Sequence, residues 1–263
     1  MPQLKLLILG GTGEASALAA LLAGNPDFSP TLSLAGRTAA PRLPEIPWRR
    51  GGFGGIPGLT HYLLTHGIQA LIVATHPFAV QMRANAAAAA RATKIPVLMI
   101  ERPAWQAETG DHWVPVPGMA EAAAALGRTQ RRVLLTIGRK DLAPFVAAAW
   151  HDYTIRSVDA PPSDALPPRA NIITARGPFT EAADRQMLIE HRIEIIVTKN
   201  SGGKATSSKL LAARALKLPI IMVARPAWPD ITGLNAATTE DAPGALAWLE
   251  AIRHAASPAK RGV

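Results

Sequence analysis

The sequence predicts an α/β fold of two Rossmann-like parallel-sheet domains related by internal duplication, with a ligand cleft between them. Three observations carry this. Short apolar runs alternate with Ala- and Leu-rich helical stretches along the chain, as in parallel sheets covered by helices on both faces. The phrase Lys94-Ile95-Pro96-Val97-Leu98-Met99-Ile100-Glu101-Arg102-Pro103-Ala104-Trp105 returns 123 residues later as Lys217-Leu218-Pro219-Ile220-Ile221-Met222-Val223-Ala224-Arg225-Pro226-Ala227-Trp228. At the same offset Leu71-Ile72-Val73-Ala74-Thr75 falls on Glu194-Ile195-Ile196-Val197-Thr198, and a helical stretch at 119–126 falls on one at 242–249. A period this long, copied once, excludes a solenoid. The duplication divides the chain into residues 1–128 and 129–263.

Each element follows from its residues. Residues 4–9 are a continuous apolar run closed by Gly10-Gly11, the pattern of a buried strand. Residues 12–23 have helical spacing and stop at Gly24-Asn25-Pro26. A second short strand at 31–35 ends in Gly36-Arg37-Thr38. The Pro-, Gly- and Arg-rich stretch 39–57 is too long for a plain connection and reads as a functional loop. A helix at 58–66, a strand at 69–74, an Ala-rich helix at 78–93 and a strand at 97–100 complete the first half. The second half repeats the alternation, with strands at 132–136, 153–158, 171–174, 194–198 and 219–223 and helices at 139–150, 179–191 and 204–217. The four prolines Pro161, Pro162, Pro167 and Pro168 make 159–169 a stiff connector, and 257–263 reads as a basic, disordered tail.

A chain of 263 residues with 48% apolar content can build two cores, and 5% aromatics means those cores are Ala, Leu, Ile and Val. The absence of cysteine removes disulfides, thiolate metal sites and a cysteine nucleophile. The first residues show no signal-peptide pattern and no apolar run is long enough to span a bilayer, so a cytoplasmic protein without a membrane partner is expected. The formal charge of +9 points to an anionic partner. The basic residues are scattered among Gly, Pro and Thr rather than gathered in a stripe with stacking aromatics, which favours a small polyanion over nucleic acid. A basic surface kept for solubility is the plainer alternative.

The sharpest local signal is Gly10-Gly11-Thr12-Gly13-Glu14-Ala15, where the first strand turns into a helix. Glycines let the backbone approach a phosphate, and a helix amino terminus offers free N–H donors and partial positive charge. The fingerprint is imperfect, since Ser16 stands at the third glycine, and a tight strand-to-helix connection is the alternative. An NAD-preferring fold usually ends its second strand with an acid; here stand Arg37 and Thr38, with no carboxylate before Glu45. A guanidinium suits a 2′-phosphate, so NADPH is favoured over NADH.

Thr75-His76-Pro77-Phe78-Ala79 and Thr198-Lys199-Asn200-Ser201-Gly202-Gly203-Lys204 follow matching strands, at the carboxyl ends where open α/β sheets bind ligands. The first offers an imidazole, the second two ammoniums and a Gly-Gly turn. The second is not a Walker A loop, because Ala205 stands where Ser or Thr is needed. Cations at a helix start are unfavourable without an anion, which supports anion binding there over a merely solvated helix start. Gly51-Gly52-Phe53-Gly54-Gly55 reads as a loop able to close on a cofactor, or as a mobile turn. The other histidines show no metal-ligand spacing. Trp105 and Trp228 read as packing anchors rather than stacking platforms.

Together with Ala35-Gly36-Arg37-Thr38 and Thr136-Ile137-Gly138-Arg139, these motifs resemble the precorrin-6A reductase family of cobalamin biosynthesis, over essentially the whole chain. The resemblance implies two Rossmann-like domains, the first binding NADPH and the second contributing to the substrate site, and reduction of one double bond of the carboxylate-rich macrocycle to give precorrin-6B. It implies that Gly10, Gly11, Thr12, Gly13, Glu14 and Ala15 hold the pyrophosphate and that Arg37 and Thr38 hold the 2′-phosphate. Gly52, Gly54 and Thr75 are further cofactor contacts. Lys199, Asn200, Ser201, Gly202, Gly203 and Lys204 anchor substrate carboxylates, and no metal is required. His76 is the candidate proton donor, with solvent as the alternative. The family commonly has Asp where this chain has Ala74, so that carboxylate is not an indispensable acid here. A corrinoid substrate and a monomer are expected, while cobalt-free and cobalt-bearing substrates both remain open. Two rivals stand beside this reading: an NADPH reductase of another anion, and a non-catalytic dinucleotide sensor.

Overall fold

The computed structural model describes residues 2–36 and 44–256. The chain forms two compact units, Met1–Arg102 with Ala227–Val263, and Pro103–Pro226. Residue 128, where the duplication divides the sequence, lies within the second of these units.

In the first unit the chain runs β1 (Leu4–Leu9), α1 (Gly13–Leu22), β2 (Phe28–Leu34), β3 (Trp48–Arg50), α2 (Gly55–Thr65), β4 (Ala70–Val73), α3 (Val80–Thr93) and β5 (Val97–Ile100). In the second it runs β6 (His112–Val116), α4 (Met119–Ala125), β7 (Arg132–Thr136), α5 (Ala143–Ala147), β8 (Asp152–Ser157), β9 (Ala170–Thr174), α6 (Glu181–Glu190), β10 (Ile195–Lys199), α7 (Ser208–Ala215) and β11 (Pro219–Val223). It then re-enters the first unit as β12 (Ala236–Thr239) and α8 (Ala242–Ala256).

The sheets have orders β12-β5-β4-β1-β2-β3 and β6-β11-β10-β7-β8-β9, and every pairing described is parallel. Both are the doubly wound order in which the first strand lies at the centre. Their sixth strands are exchanged. β6 follows β5 in the chain yet pairs with β11, and β12 follows β11 yet pairs with β5. The duplicated Arg-Pro-Ala-Trp phrases are the segments where the chain passes from one unit to the other.

Alternation along the strands builds a core on each face. In the first unit Leu4, Leu6 and Ile8 pack with Leu18 and Leu22 of α1 and Ala245 and Leu249 of α8. On the other face Leu7, Leu9, Leu71 and Val73 pack with Leu59 and Leu63 of α2 and the alanines of α3. In the second unit Leu134, Ile196, Ile220 and Met222 pack with Leu188 of α6 and Leu210 of α7. Each fully buried Leu or Ile contributes about 1.5–3 kcal/mol, so these stripes, rather than helix propensity, hold the layers together.

Three short strands depart from the sequence expectation. β3 lies within the stretch read as loop, and β6 and β12 lie where none was predicted. All three are edge or near-edge strands with weak apolar patterns, and Pro115 in β6 suits an edge, where its missing N–H deprives no neighbour. The helix expected over 139–150 is instead a 3₁₀ turn, Arg139–Asp141, followed by the short α5, because Pro144 belongs in a first turn and cannot sit inside a longer helix. The tail at 257–263 lies outside the described residues. No helix among those described is long and apolar enough to cross a membrane.

Candidate functional site

Each sheet reverses its winding beside its central strand, between β1 and β4 in one unit and between β7 and β10 in the other. The carboxyl ends flanking that point are where such sheets bind ligands. The sequence-predicted residues described here, apart from the Gly51–Gly55 loop beyond β3, follow these four strands. A hollow of about 320 Å³ lined by Arg132, Tyr153, Arg169 and His191 lies at the amino ends of β7, β8 and β9, the opposite edge of its sheet.

At the end of β1 the turn divides into packing residues and bare ones. A Cβ on Gly10 would stand 2.6 Å from Leu32 Cδ1, so glycine is required there for packing, and Ala15 is buried in the core. Gly11 has φ +124°, which favours glycine. Around Gly13, the first residue of α1, a Cβ would meet nothing within 4 Å among the described residues. Neither packing nor a positive φ calls for glycine at 13, so the backbone there lies open to an approaching group. Thr12 ties the switch point together: its hydroxyl accepts from the Ala15 N–H at 3.3 Å, capping α1, and donates to the Ala74 carbonyl at 2.9 Å. The Glu14 carboxylate favours the helix amino end and accepts from Arg102 at 2.8 Å. Glu14 is thus partly occupied by an arginine that sequence reasoning did not single out.

The Thr75-to-Ala79 turn is equally built. Phe78 N–H donates to His76 Nδ1 at 3.2 Å, and Ala79 N–H donates to the His76 carbonyl at 2.8 Å. Arg83, 4% exposed, donates to the Pro77 carbonyl at 3.1 Å and to Glu101 at 2.5 Å, with its guanidinium 4.1 Å from the Trp228 ring centre. The Thr75 hydroxyl is buried, and no hydrogen-bond partner meets it among the described residues. A buried hydroxyl in that state costs about 1–3 kcal/mol, which a ligand acceptor would remove.

The glycine-rich loop after β3 is held rather than loose. Arg49 donates to Ser33 Oγ at 2.8 Å and to the carbonyls of Gly51 and Gly52 at 3.1 and 2.9 Å, while lying 4.0 Å from the Phe53 ring centre. Gly54, at φ +80°, caps α2. Arg37 and Thr38 lie outside the described residues. Gly36, just before them, has φ +72°, and the Arg50 side chain lies over it: a Cβ there would stand 3.1 Å from Arg50 Nε.

In the second unit Thr136 Oγ1 donates to Thr198 Oγ1 at 2.8 Å, the counterpart of the Thr12 tie. Lys199 pairs with Asp141 at 2.5 Å. Asn200 is committed to the main chain, accepting from Trp105 N–H at 2.8 Å and donating to the Trp105 carbonyl at 2.9 Å. The Ser201 carbonyl accepts from Arg225 at 3.0 Å. Gly202 is packed so closely that a Cβ would stand 2.1 Å from the Pro103 carbonyl oxygen. Gly203, at φ 78° and ψ 159°, adopts a backbone open essentially to glycine alone. Lys204 is exposed. Of this motif, Asn200, Gly202 and Gly203 are therefore explained by the loop's own construction. Trp105 behaves as an anchor, its indole donating to the Gly203 carbonyl at 2.9 Å, whereas Trp228 is 40% exposed beneath Arg83.

Sequence reasoning missed Arg49, Arg83, Arg102 and Arg225, which orient the loops. The repeat contained a signal for two of them, since Arg102 and Arg225 are equivalent in the duplicated phrase and each reaches the turn beyond a switch-point strand.

Over residues 5–250 the chain matches the family described as Precorrin-6x reductase CbiJ/CobK. A precorrin-6A reductase of Rhodobacter capsulatus is 47% identical, with 98% of this chain and 99% of that protein covered. One of Rhodococcus erythropolis is 46% identical, with 93% and 97% covered. A solved structure described as CobK precorrin-6A reductase superposes with a TM-score of 0.88 at 45% identity, covering 98% of this chain and 99% of that one.

Proposed function

The chain belongs to the precorrin-6x reductase family, and on that premise we propose that it reduces one ring double bond of precorrin-6A with NADPH, giving precorrin-6B. The observation that carries the cofactor half of this reading is the turn at the β1–β4 switch point, where Gly13 is bare although nothing among the described residues requires glycine there. A phosphate fits that opening, with the amino end of α1 as its cradle.

Bound at this turn, NADPH supplies a hydride, and the protein supplies orientation and electrostatics. Gly11, Thr12 and Gly13 present main-chain donors to the pyrophosphate, and Arg37 with Thr38 takes the 2′-phosphate. Thr75 finds in the ligand the acceptor that it lacks among the described residues. The glycine loop, fixed by Arg49, flanks the cofactor through Gly52 and Gly54. Lys199, Ser201 and Lys204 are the second unit's candidates for substrate carboxylates, with Lys199 shared between substrate and Asp141. The reduction balances as one hydride to one ring carbon and one proton to its neighbour, so each turnover consumes one NADPH and one proton. The formal charge of +9 suits a polycarboxylate. A cytoplasmic monomer is the form proposed.

The test is anaerobic NADPH oxidation with precorrin-6A, with NADH and Arg37→Ala as controls. Oxidation by NADPH, slower with NADH and weakened by the substitution, is the expected result. Binding of NADPH without substrate-dependent oxidation would refute the reductase reading and favour a sensor. Turnover on a smaller anionic enone but not on precorrin-6A would point to a different reductase.

A further inference from the structure

The duplicated Arg-Pro-Ala-Trp phrases put a tryptophan at equivalent points of the two halves, and the fold treats the two rings differently. Trp105 is committed within its own unit: its indole donates to the Gly203 carbonyl at 2.9 Å, and Lys209 Nζ lies 4.5 Å from its ring centre. Trp228 is 40% exposed, and the guanidinium of Arg83, itself 4% exposed, lies 4.1 Å from its ring centre. A buried cation laid on one face fixes the ring, so its exposure falls on the opposite face and the rim. The partners of Arg83 also fix where the ring stands. They are the Pro77 carbonyl, at 3.1 Å, in the turn after β4, and Glu101, at 2.5 Å, immediately after β5. Trp228 therefore stands at the carboxyl edge of the first sheet, on its β4–β5 side. Across the sheet that is the side away from β2, where the 2′-phosphate is expected. A dinucleotide laid over β2, β1 and β4 ends with its nicotinamide at the Thr75–Ala79 turn, and the acceptor of the hydride must lie next to it.

We propose that Trp228 is a stacking platform for the substrate, its open face receiving the flat, unsaturated part of the precorrin-6A macrocycle beside the nicotinamide. The inference deepens the reductase reading of the site and rests on it. An indole offers a large rigid surface to a π-system and asks for no hydrogen bond in return. The macrocycle's carboxylates then remain at its rim, where cationic groups can meet them. The two copies of the phrase thus divide the work: Trp105 closes the Gly203 turn, and Trp228 is held with one face bare.

Equilibrium binding of precorrin-6A, read anaerobically from the pigment's own absorption without NADPH, tests this in the parent, Trp228→Leu and Trp228→Phe. Trp228→Leu keeps apolar bulk against Arg83 and removes the aromatic face, whereas Trp228→Phe keeps a face. Trp228→Leu is expected to raise the Kd for precorrin-6A by about 5–150-fold, the worth of one stacked ring, and Trp228→Phe to recover most of that loss. The Kd for NADPH, titrated separately, is expected to stay at the parent's value in both. Equal precorrin-6A affinity in all three proteins would overturn the proposal, and a lowered urea midpoint in Trp228→Leu would then mark the ring as a packing anchor. Weakened NADPH with unchanged precorrin-6A would also overturn it, placing the ring against the cofactor. A parent that binds precorrin-6A through Trp228 yet oxidises no NADPH would refute the reductase reading and leave the platform standing. A parent that does not bind precorrin-6A would refute both.

Discussion

Gly13→Ala separates a glycine kept for the fold from one kept for a ligand. The added methyl meets no atom of the described residues within 4 Å, and Gly13 is absent from the positive-φ glycines. The folded state therefore has no reason to resist it. Alanine is favoured over glycine by about 0.5–1 kcal/mol in a helix interior, so at the first position of α1 a gain of up to that size is expected. Cofactor binding should move the other way. If the methyl displaces a phosphate oxygen from one main-chain donor, the loss of a charged hydrogen bond of about 1.5–3 kcal/mol weakens NADPH by about 10–150-fold. Urea unfolding and a nucleotide fluorescence titration on the same preparation read the two effects. A variant that is as stable as the parent and binds NADPH as tightly would refute the assignment of this turn to the phosphate. Gly10→Ala is the contrasting control, because its Cβ, 2.6 Å from Leu32 Cδ1, should cost about 1–3 kcal/mol of stability.

Three further outcomes are expected. Gly202→Ala places a Cβ 2.1 Å from the Pro103 carbonyl oxygen at φ +67°, so it should destabilise by at least about 1–3 kcal/mol, visible as a lowered unfolding midpoint. Asp184→Ala leaves the buried Arg156 without its carboxylate partner and removes the acceptor of Ser208 Oγ, at 2.6 Å, so a loss of about 3–5 kcal/mol is expected by denaturant titration. His151 is fully buried, accepting from Arg131 N–H through Nδ1 with Nε2 beside the Gly127 carbonyl, and burial holds its pKa below 6.5. The unfolded chain thus takes up a proton near pH 6.5 that the folded chain refuses, and stability falls as the pH drops below that value. The slope from this one group cannot exceed about 1.4 kcal/mol per pH unit; a His151→Gln variant that keeps the parent's slope would show that the proton is taken up elsewhere.

The layers of the fold were legible because burial leaves its period in the chain. The run at β1 and the alanines of α3 could be read as strand and helix from their own residues, and the strand-to-helix turns placed the candidate site at the switch points. Less legible was which motif residues are available to a ligand. Glu14 was read as a cofactor contact and Asn200 as a substrate contact, yet Glu14 meets Arg102, 88 positions away, and Asn200 meets Trp105, 95 positions away. Arg49 and Arg83 belong to no motif of the sequence, and only the fold brings the carbonyls of Gly51, Gly52 and Pro77 to them.

The sequence by itself determined the class of fold, the duplication and the chain positions of the turns, because apolar periodicity and glycine placement are local properties. Tertiary structure alone decided the exchange of β6 and β12 between the sheets. The strands that receive them, Val97-Leu98-Met99-Ile100 of β5 and Ile220-Ile221-Met222-Val223 of β11, are nearly the same sequence. Either edge offers the same ladder of main-chain donors and acceptors, so no local pattern distinguishes them, and the choice falls to the packing of whole layers.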